Sequence, residues 1–396
     1  MHSSWILRAA LFSSLVVACS SQRPAGTNGS AATVSVAASS APEPSTLEAP
    51  AASANVDAGA LHPVNPANPV NRVKEEAAPP DPTFDEIATV LFADRANLSA
   101  VTAACPSSTP PDARVRCLFD ERYRGDAAAA SLAHELYVKW RVVAGVEVAH
   151  TMNGGYRGMI RIEPALPIKT ERKHIEWIVS AMRDFERFFA ELDRHAPAGD
   201  DASASRPKRY RFKPITLRFM RSVAARTPSA YAHDWTVAWN LAGSLHRSPD
   251  AVRETLFHEM FHLNDYAHPP PGGEAWSFSA LGAVFDAVVK KCGTAIPCLA
   301  PYSPNDTIVR GGTYYSFQPG NGVREYAAEL ALRYYREQRA VLFSHPSAES
   351  PSGRAGSSPK PPVPSFKCGP PENARAWASM RDEFFGGIDV VPPCGS

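Results

Sequence analysis

The sequence lacks an excess of charge of either sign, a long hydrophobic run and any Cys-x-x-Cys pair. Its 41 basic and 40 acidic residues leave a formal charge of +1. That balance excludes a nucleic-acid binder, which needs a basic surface. The hydropathy pattern excludes a multi-span membrane protein, because such a protein needs long apolar segments. A zinc site built from cysteines needs paired Cys-x-x-Cys spacings, and the chain has none.

The N-terminus has the pattern of an export signal. Arg8 precedes a mostly apolar run from Ala9 to Val17, which is too short to remain in a bilayer. The run ends at Ala18-Cys19 and resembles the bacterial lipoprotein signal. The resemblance implies that residues 1–18 are removed and that Cys19 carries a lipid anchor. Because Ser20, and not Asp, follows the cysteine, it also implies the outer membrane. An ordinary secretory signal is the alternative.

Residues 19–83 are predicted to form a disordered tether. From residue 20 to residue 83 the chain contains no Phe, Trp or Tyr and is rich in Ala, Ser and Pro. Such a segment has too little apolar surface to offset the entropy of ordering. A Pro/Ser-rich linker is predicted at 345–367, and a C-terminal segment that is clamped by a disulfide follows at 368–396.

The cysteines beyond Cys19 are expected to form local disulfides. Seven cysteines are present, so removal of Cys19 leaves an even number, and these lie as near neighbours along the chain. Disulfides are typical of exported proteins, although the sequence alone does not establish the connectivity. The expected pairs are Cys105–Cys117, Cys292–Cys298 and Cys368–Cys394.

Residues 84–344 are predicted to form an α+β domain with a small mixed sheet. The spacing of apolar residues distinguishes helices from strands, and the segment between Cys105 and Cys117 is interpreted as a Pro-rich loop. Helices are predicted at 84–104, 127–140 and 170–195, with a C-terminal helix at 373–385, and strands at 158–162, 215–219 and 236–245.

The helix predicted to begin at Ser248-Pro249 carries the residues with the clearest chemistry. Serine is a suitable N-cap and proline suits the first helical position. His258 and His262 are four residues apart, so both imidazoles project from one face and can reach one zinc ion. Glu259 would lie beside that ion and accept a proton from water. This His-Glu-x-x-His pattern is typical of zinc-dependent peptidases; an ordinary amphipathic helix is the alternative.

A catalytic zinc site needs a third protein ligand, and His268 is the first candidate. It has the histidine spacing of the metzincin peptidases, but Asp265 stands where that family has a glycine. The methionine that the family places soon after its third histidine is also missing, since Met380 is the only one that follows His268.

Glu325 is the second candidate for the third ligand. Glu325 and Glu329 are four residues apart on a predicted helix and share one face, on which the small Ala328 suits close packing against another helix. A pair of buried carboxylates is costly unless a cation or hydrogen-bond donors are nearby. The alternative is a solvated helix face with Arg333 and Arg336 as partners of the carboxylates.

The two helices together resemble the gluzincin zinc peptidases, most closely the peptidase domain of the anthrax lethal-factor type. There, a His-Glu-x-x-His helix with a nearby Asp-Tyr-Ala precedes a Glu-aromatic-x-Ala-Glu helix; here these are Asp265-Tyr266-Ala267 and Glu325-Tyr326-Ala327-Ala328-Glu329. The resemblance covers about residues 212–340. It implies a zincin-like fold, Glu325 as a zinc ligand, and Glu329 as a residue that hydrogen-bonds around the site. It also implies a tyrosine near the metal, for which Tyr314 and Tyr315 are candidates.

The expected function is hydrolysis of a peptide or protein substrate at the cell envelope, with Zn²⁺ as the cofactor. Glu259 would be the general base. The donor to the developing oxyanion would be Tyr315 or, as a second choice, His268. A non-catalytic zinc-binding or interaction lipoprotein of the outer membrane is the alternative. An intact Glu259 argues against it, because such a protein needs no general base.

Overall fold

The computed structural model describes residues 81–96, 98–153, 159–196, 209–223, 229–270, 275–309, 312–320, 322–344 and 364–395. The predicted signal peptide, Cys19 and nearly all of the predicted tether lie outside these residues. So does the part of the predicted linker at 345–363.

The helices begin at local capping signals. The Thr83 hydroxyl accepts a hydrogen bond from the Glu86 N–H and the Glu86 carboxylate accepts one from the Thr83 N–H, which forms a capping box. The Asp126 carboxylate caps a later helix by accepting from the Ala129 N–H. Within the described residues the α-helices are α1 (Phe84–Leu91), α2 (Leu98–Ala104), α3 (Pro111–Arg122), α4 (Ala127–Trp140), α5 (Lys173–Asp193), α6 (Pro249–Ala267), α7 (Trp276–Cys292), α8 (Ile296–Leu299), α9 (Gly322–Phe343) and α10 (Pro371–Phe384).

The described strands form one mixed sheet and one separate pair. They are β1 (Val143–Val146), β2 (His150–Asn153), β3 (Met159–Pro164), β4 (Thr216–Ser222), β5 (Ala230–His233), β6 (Thr236–Asn240), β7 (Ile308–Val309) and β8 (Thr313–Tyr314). The six-stranded sheet has the order β2-β3-β4-β6-β5, with β1 also beside β4. Strand β4 is parallel to β1 and β6 and antiparallel to β3, whereas β7 and β8 pair only with each other. The predicted combination of helices with a mixed sheet is therefore confirmed.

The first part of the domain differs from the predicted elements. The single helix predicted at 84–104 is two helices, α1 and α2. The turn between them contains Asp94, which forms a salt bridge with Arg122 at 2.8 Å. The predicted Pro-rich loop between Cys105 and Cys117 is also wrong, because α3 begins at Pro111 and includes Cys117. The apolar residues of α3 do not recur on one side of the helix, so periodicity gave no sign of it.

The six cysteines pair as the sequence predicts. Disulfides join Cys105 to Cys117, Cys292 to Cys298 and Cys368 to Cys394. Disulfides persist in oxidising compartments, so these three support the predicted export. A separate observation concerns the helices: within the described ranges, none is both long and apolar enough to cross a membrane.

The C-terminal segment belongs to the main hydrophobic core. Trp377, Met380 and Phe384 of α10 are almost fully buried, and α10 packs against α7 and α9. The Trp377 indole N–H donates to Asp389 at 2.9 Å. A disulfide closes this segment, as predicted, and its apolar side chains are part of the core.

Helix α6 is enclosed by its neighbours. As predicted, it begins at Ser248, whose hydroxyl accepts from the Ala251 N–H at 3.2 Å. Every residue from Thr255 to Asp265 is buried, because α5, α7, α9, β5 and β6 pack against the helix. Helix α6 ends before Pro269-Pro270, since a proline cannot continue the hydrogen-bond pattern. Any polar side chain from Thr255 to Asp265 must therefore find its partners inside the protein.

Candidate metal centre

Helices α6 and α9 bring His258, His262 and Glu325 together. The two helices pack against each other, and the small residues Ala327 and Ala328 of α9 are fully buried. The Nε2 atoms of the two histidines are 3.2 Å apart. Glu325 places one carboxylate oxygen 3.3 Å from His258 Nε2 and the other 3.5 Å from His262 Nε2. Among the described residues, this group could hold a metal ion, with its ligand atoms all within 4.8 Å of one another.

The separations between these atoms fit a tetrahedral ion. Zinc binds histidine nitrogen and carboxylate oxygen at about 2.0–2.1 Å, which places neighbouring ligand atoms roughly 3.4 Å apart. The two Nε2 atoms are 3.2 Å apart, and each lies near one of the two Glu325 oxygens, at 3.3 Å from Oε2 for His258 and at 3.5 Å from Oε1 for His262, so the shortest separations lie around that value. The histidine side chains are only 9% exposed and that of Glu325 is 24% exposed. Buried nitrogen and oxygen atoms at these distances require a cation or a proton between them, so the residues fit a metal ion.

Glu329 orients His258. One of its carboxylate oxygens accepts from His258 Nδ1 at 3.0 Å, which leaves Nε2 directed at the other members of the group. A carboxylate on the far nitrogen of a histidine is the usual support for a metal ligand. The second oxygen of Glu329 accepts from the Asn305 amide. Asn305 is itself held, because its Oδ1 accepts from the Thr307 N–H at 3.0 Å.

Glu325 and Glu329 do not form a solvated face of α9 with Arg333 and Arg336 as their partners. Arg333 forms its salt bridge with Glu337, at 2.5 Å, and Arg336 forms its salt bridge with Glu254, also at 2.5 Å. The carboxylates of Glu325 and Glu329 instead face the histidines of α6, as a ligand and its support would.

His268 lies outside the group of three ligand atoms. It is the C-cap residue of α6, and its ring centroid is 5.2 Å from that of Phe384. Phe384 also packs against Phe261 and Trp276, so this end of α6 is an aromatic cluster. The structure thus brings Glu325, and not His268, to the two histidines.

Asp265 connects α6 to the next helix. It is fully buried, and its two oxygens accept from the Ser277 N–H and the Ser277 hydroxyl, both at 2.7 Å. Ser277 lies in the first turn of α7, where a carboxylate is favourable to the helix dipole. Asp265 therefore caps α7 at the position where the metzincin pattern has a glycine.

Tyr315 approaches the group from the turn that follows β8. Its hydroxyl donates to a Glu325 oxygen at 2.9 Å, and its ring centroid is 6.3 Å from that of His258. Burial, together with the negative charge of Glu325, raises the pKa of Tyr315 far above its ordinary value. The phenol therefore stays protonated and is a hydrogen-bond donor beside the group. Tyr314 lies in β8 and is also buried.

The group is strongly coupled electrostatically. Burial raises the pKa of Glu259, which is itself only 8% exposed, although His258 and His262 oppose the shift. Burial would lower the pKa of His258, but Glu325 and Glu329 outweigh it and raise that pKa well above its ordinary value. Burial would raise the pKa of Glu325, but hydrogen bonds with the two histidines lower it far below the usual range. The arrangement stabilises positive charge between the helices.

Two supporting residues were missed by the sequence analysis. Asn305 and Ser277 carry no catalytic motif, and each lies far along the chain from the carboxylate that it contacts. Asn305 stands in the turn-forming stretch Ser303-Pro304-Asn305, which predicts a turn but does not indicate a partner.

The group of three ligand atoms, its support by Glu329 and the neighbouring Glu259 and Tyr315 form the candidate site. No protein-family model, curated protein or solved structure matches the chain. The chemistry of the site is therefore inferred from its own geometry.

Proposed function

We propose that the protein is a zinc-dependent peptidase of the gluzincin type, with a zincin-like fold, in which His258, His262 and Glu325 hold the ion. The observation that carries the proposal is the convergence of one ligand atom from each of these residues, all within 4.8 Å of one another. Within the described residues the metal-binding group contains three protein ligands. Catalytic zinc sites have three, whereas structural zinc sites are closed by four. When bound, the ion supplies Lewis acidity toward water and toward a carbonyl oxygen.

The chain's own residues supply the proton transfers. Glu259 accepts the proton of the attacking water and passes it to the leaving amine, a task favoured by a carboxylate whose pKa is raised. Tyr315 donates its hydroxyl hydrogen to the oxygen on which negative charge develops. Glu329 keeps the proton of His258 on Nδ1, so that Nε2 stays available as a ligand.

A peptide substrate is favoured by the sheet beside α6. Strand β5 packs against α6 and is the last strand at its side of the described sheet. An edge strand presents backbone N–H and C=O groups that an extended peptide can pair with. The N-terminal sequence and the disulfides support an exported protein, and we propose a lipid anchor at Cys19 in the outer membrane.

Zinc content per chain tests the ligand set. Elemental analysis of the full chain should find one zinc in the wild type and in His268→Ala, and a loss in Glu325→Ala. Glu176→Gln, which changes a half-exposed carboxylate of α5, is the control. Loss in His268→Ala alone would assign the protein to the metzincins, and a zinc-free wild type would refute the proposal.

Activity is tested separately on zinc-loaded protein. Cleavage of a mixed peptide library should be abolished in Glu259→Gln while its zinc content remains that of the wild type, because the substitution removes the base and leaves the ligands. A zinc-loaded wild type that cleaves no peptide would favour the non-catalytic lipoprotein.

A further inference from the structure

A cavity separate from the metal group lies where α5, the first turn of α6 and the last turns of α9 meet. Its volume is about 380 Å³, near the lower end of the roughly 300–1,000 Å³ that small-ligand sites occupy. Four arginines line it, whereas Asp184 and Asp250 are its acidic residues. Glu135 of α4 also pairs with Arg183, at 2.6 Å, so four positive charges face three negative charges and leave an excess of one positive charge at this concave surface. The arginines are Arg183, Arg187, Arg253 and Arg339.

Asp184 lies at the centre of this cavity, and its hydrogen-bonding capacity is already used. It accepts two bonds from Arg339, both at 2.9 Å, one from the Tyr335 hydroxyl at 2.5 Å and one from Arg187 at 3.1 Å. Burial would raise the pKa of Asp184, but Arg339, Tyr335 and Arg253 outweigh it and lower the pKa. Asp184 is therefore ionised, and this one carboxylate is shared by three guanidinium groups, those of Arg339, Arg187 and Arg253.

Arg253 is the least compensated of the four cations. Its side chain is only 14% exposed, and its carboxylate partner at 2.6 Å, Asp250, is 77% exposed, so water screens that partner's charge. The Nε atom of Arg253 is buried without a hydrogen-bond partner and lies 3.8 Å from Asp184. A buried donor without an acceptor costs free energy, and an oxyanion beside the guanidinium group offsets part of that cost through its negative charge.

The start of α6 adds to the positive potential. Pro249 and Asp250 of its first turn line the cavity, and the 19-residue helix directs the positive end of its dipole there. Guanidinium groups match the oxygens of phosphate with paired hydrogen bonds. We propose that this cavity binds the phosphate group of a small soluble solute, at a site distinct from the metal group.

Calorimetric titration of the full chain with inorganic pyrophosphate tests the proposal. The wild type should bind one pyrophosphate saturably, and Arg253→Gln and Arg187→Gln should each bind at least about tenfold more weakly, because each loses a charge-assisted bond. Arg187 is 61% exposed, so its substitution leaves the core intact even if Arg253→Gln proves unstable. Arg161→Gln is the control, since Arg161 is an exposed arginine paired with Glu163 on β3.

A second experiment measures binding to vesicles that contain phosphatidylglycerol. Binding of these vesicles without binding of pyrophosphate, lost in the same two variants, would place the phosphate group on a lipid and overturn the soluble ligand. Absence of saturable binding, or equal affinity in the wild type, Arg187→Gln and Arg253→Gln, would overturn the site altogether. The arginines would then be an ion-pair network that joins three helices. Zinc content and peptide cleavage do not enter this test.

Discussion

Replacement of Glu329 by Gln tests how the candidate metal centre is supported. In the structure one Glu329 oxygen accepts from His258 Nδ1 and the other accepts from the Asn305 amide. A glutamine side chain has only one oxygen, so its NH₂ group must face one of these two donors. Asn305 cannot turn its own oxygen toward that group without losing its bond from the Thr307 N–H. His258 cannot accept at Nδ1 without placing its proton on Nε2, the atom that faces Glu325.

The expected decrease in zinc affinity follows from the loss of one of these two hydrogen bonds. Removal of a carboxylate that supports a ligating histidine weakens metal affinity about 10–100-fold, which corresponds to about 1.4–2.8 kcal/mol. Competition with a chromophoric chelator on the full chain measures the zinc affinity of Glu329→Gln directly. Glu176→Gln removes the same charge from a side chain that is 47% exposed on α5 and should bind zinc as the wild type does. Equal zinc affinity in Glu329→Gln and the wild type would refute the role of Glu329.

Three further substitutions test the oxyanion donor, the hydrophobic core and the loss of stability at low pH. Tyr315→Phe should keep zinc but lower kcat for peptide cleavage by about 10²–10³-fold, as loss of an oxyanion donor does; an unchanged kcat would assign that donor elsewhere. Trp377→Ala should lower the free energy of unfolding by about 3–5 kcal/mol in denaturant titrations. A loss below about 1 kcal/mol would show that Trp377 of α10 is not part of the core. Burial would raise the pKa of Asp389, but bonds from Lys367, Gln338 and Trp377 lower it below its ordinary value of 3.8. Ionised Asp389 therefore stabilises the fold above pH 3.8, and this stabilisation is lost as the pH falls below that value. Asp389→Asn should flatten this acid dependence of the unfolding free energy, and identical slopes in both proteins would contradict the assignment.

The start of α6 and the shared face of its two histidines could be predicted from the sequence because their signals are local. Ser248 and Pro249 act within one turn, and the spacing of His258 and His262 places them on one face whatever surrounds the helix. The same reasoning identified Glu325 as a candidate through its spacing from Glu329 on α9. These predictions depend on helix geometry alone.

The choice between His268 and Glu325 as the third member of the group could not be made locally. His268 is near in sequence, but α6 ends at that residue, and its ring packs with Phe384 of α10. Glu325 is distant in sequence, and its approach depends on how closely α9 packs against α6 at Ala328. Tertiary packing decides between them, and a sequence motif does not contain that information.

Asn305 and α3 show two other limits of prediction from the sequence. Asn305 contacts Glu329 from a loop, and a turn-forming residue gives no sign of its distant partner. Helix α3 lacks an apolar stripe, so its periodicity is weak even though Pro111 and Asp112 are favourable residues for its first turn. Capping signals there are better guides than hydrophobic spacing.

The burial of the central turns of α6 has a consequence for how the protein can vary. From Thr255 to Asp265 no residue of the helix faces solvent, and close-packed interiors respond to changes of even a single methylene group. Substitutions in these turns therefore affect folding before they affect specificity. Sequence change is tolerated more readily in the loops around the helix. Among related chains, the sequence from Thr255 to Asp265 should vary least and the sequence of the surrounding loops should vary most.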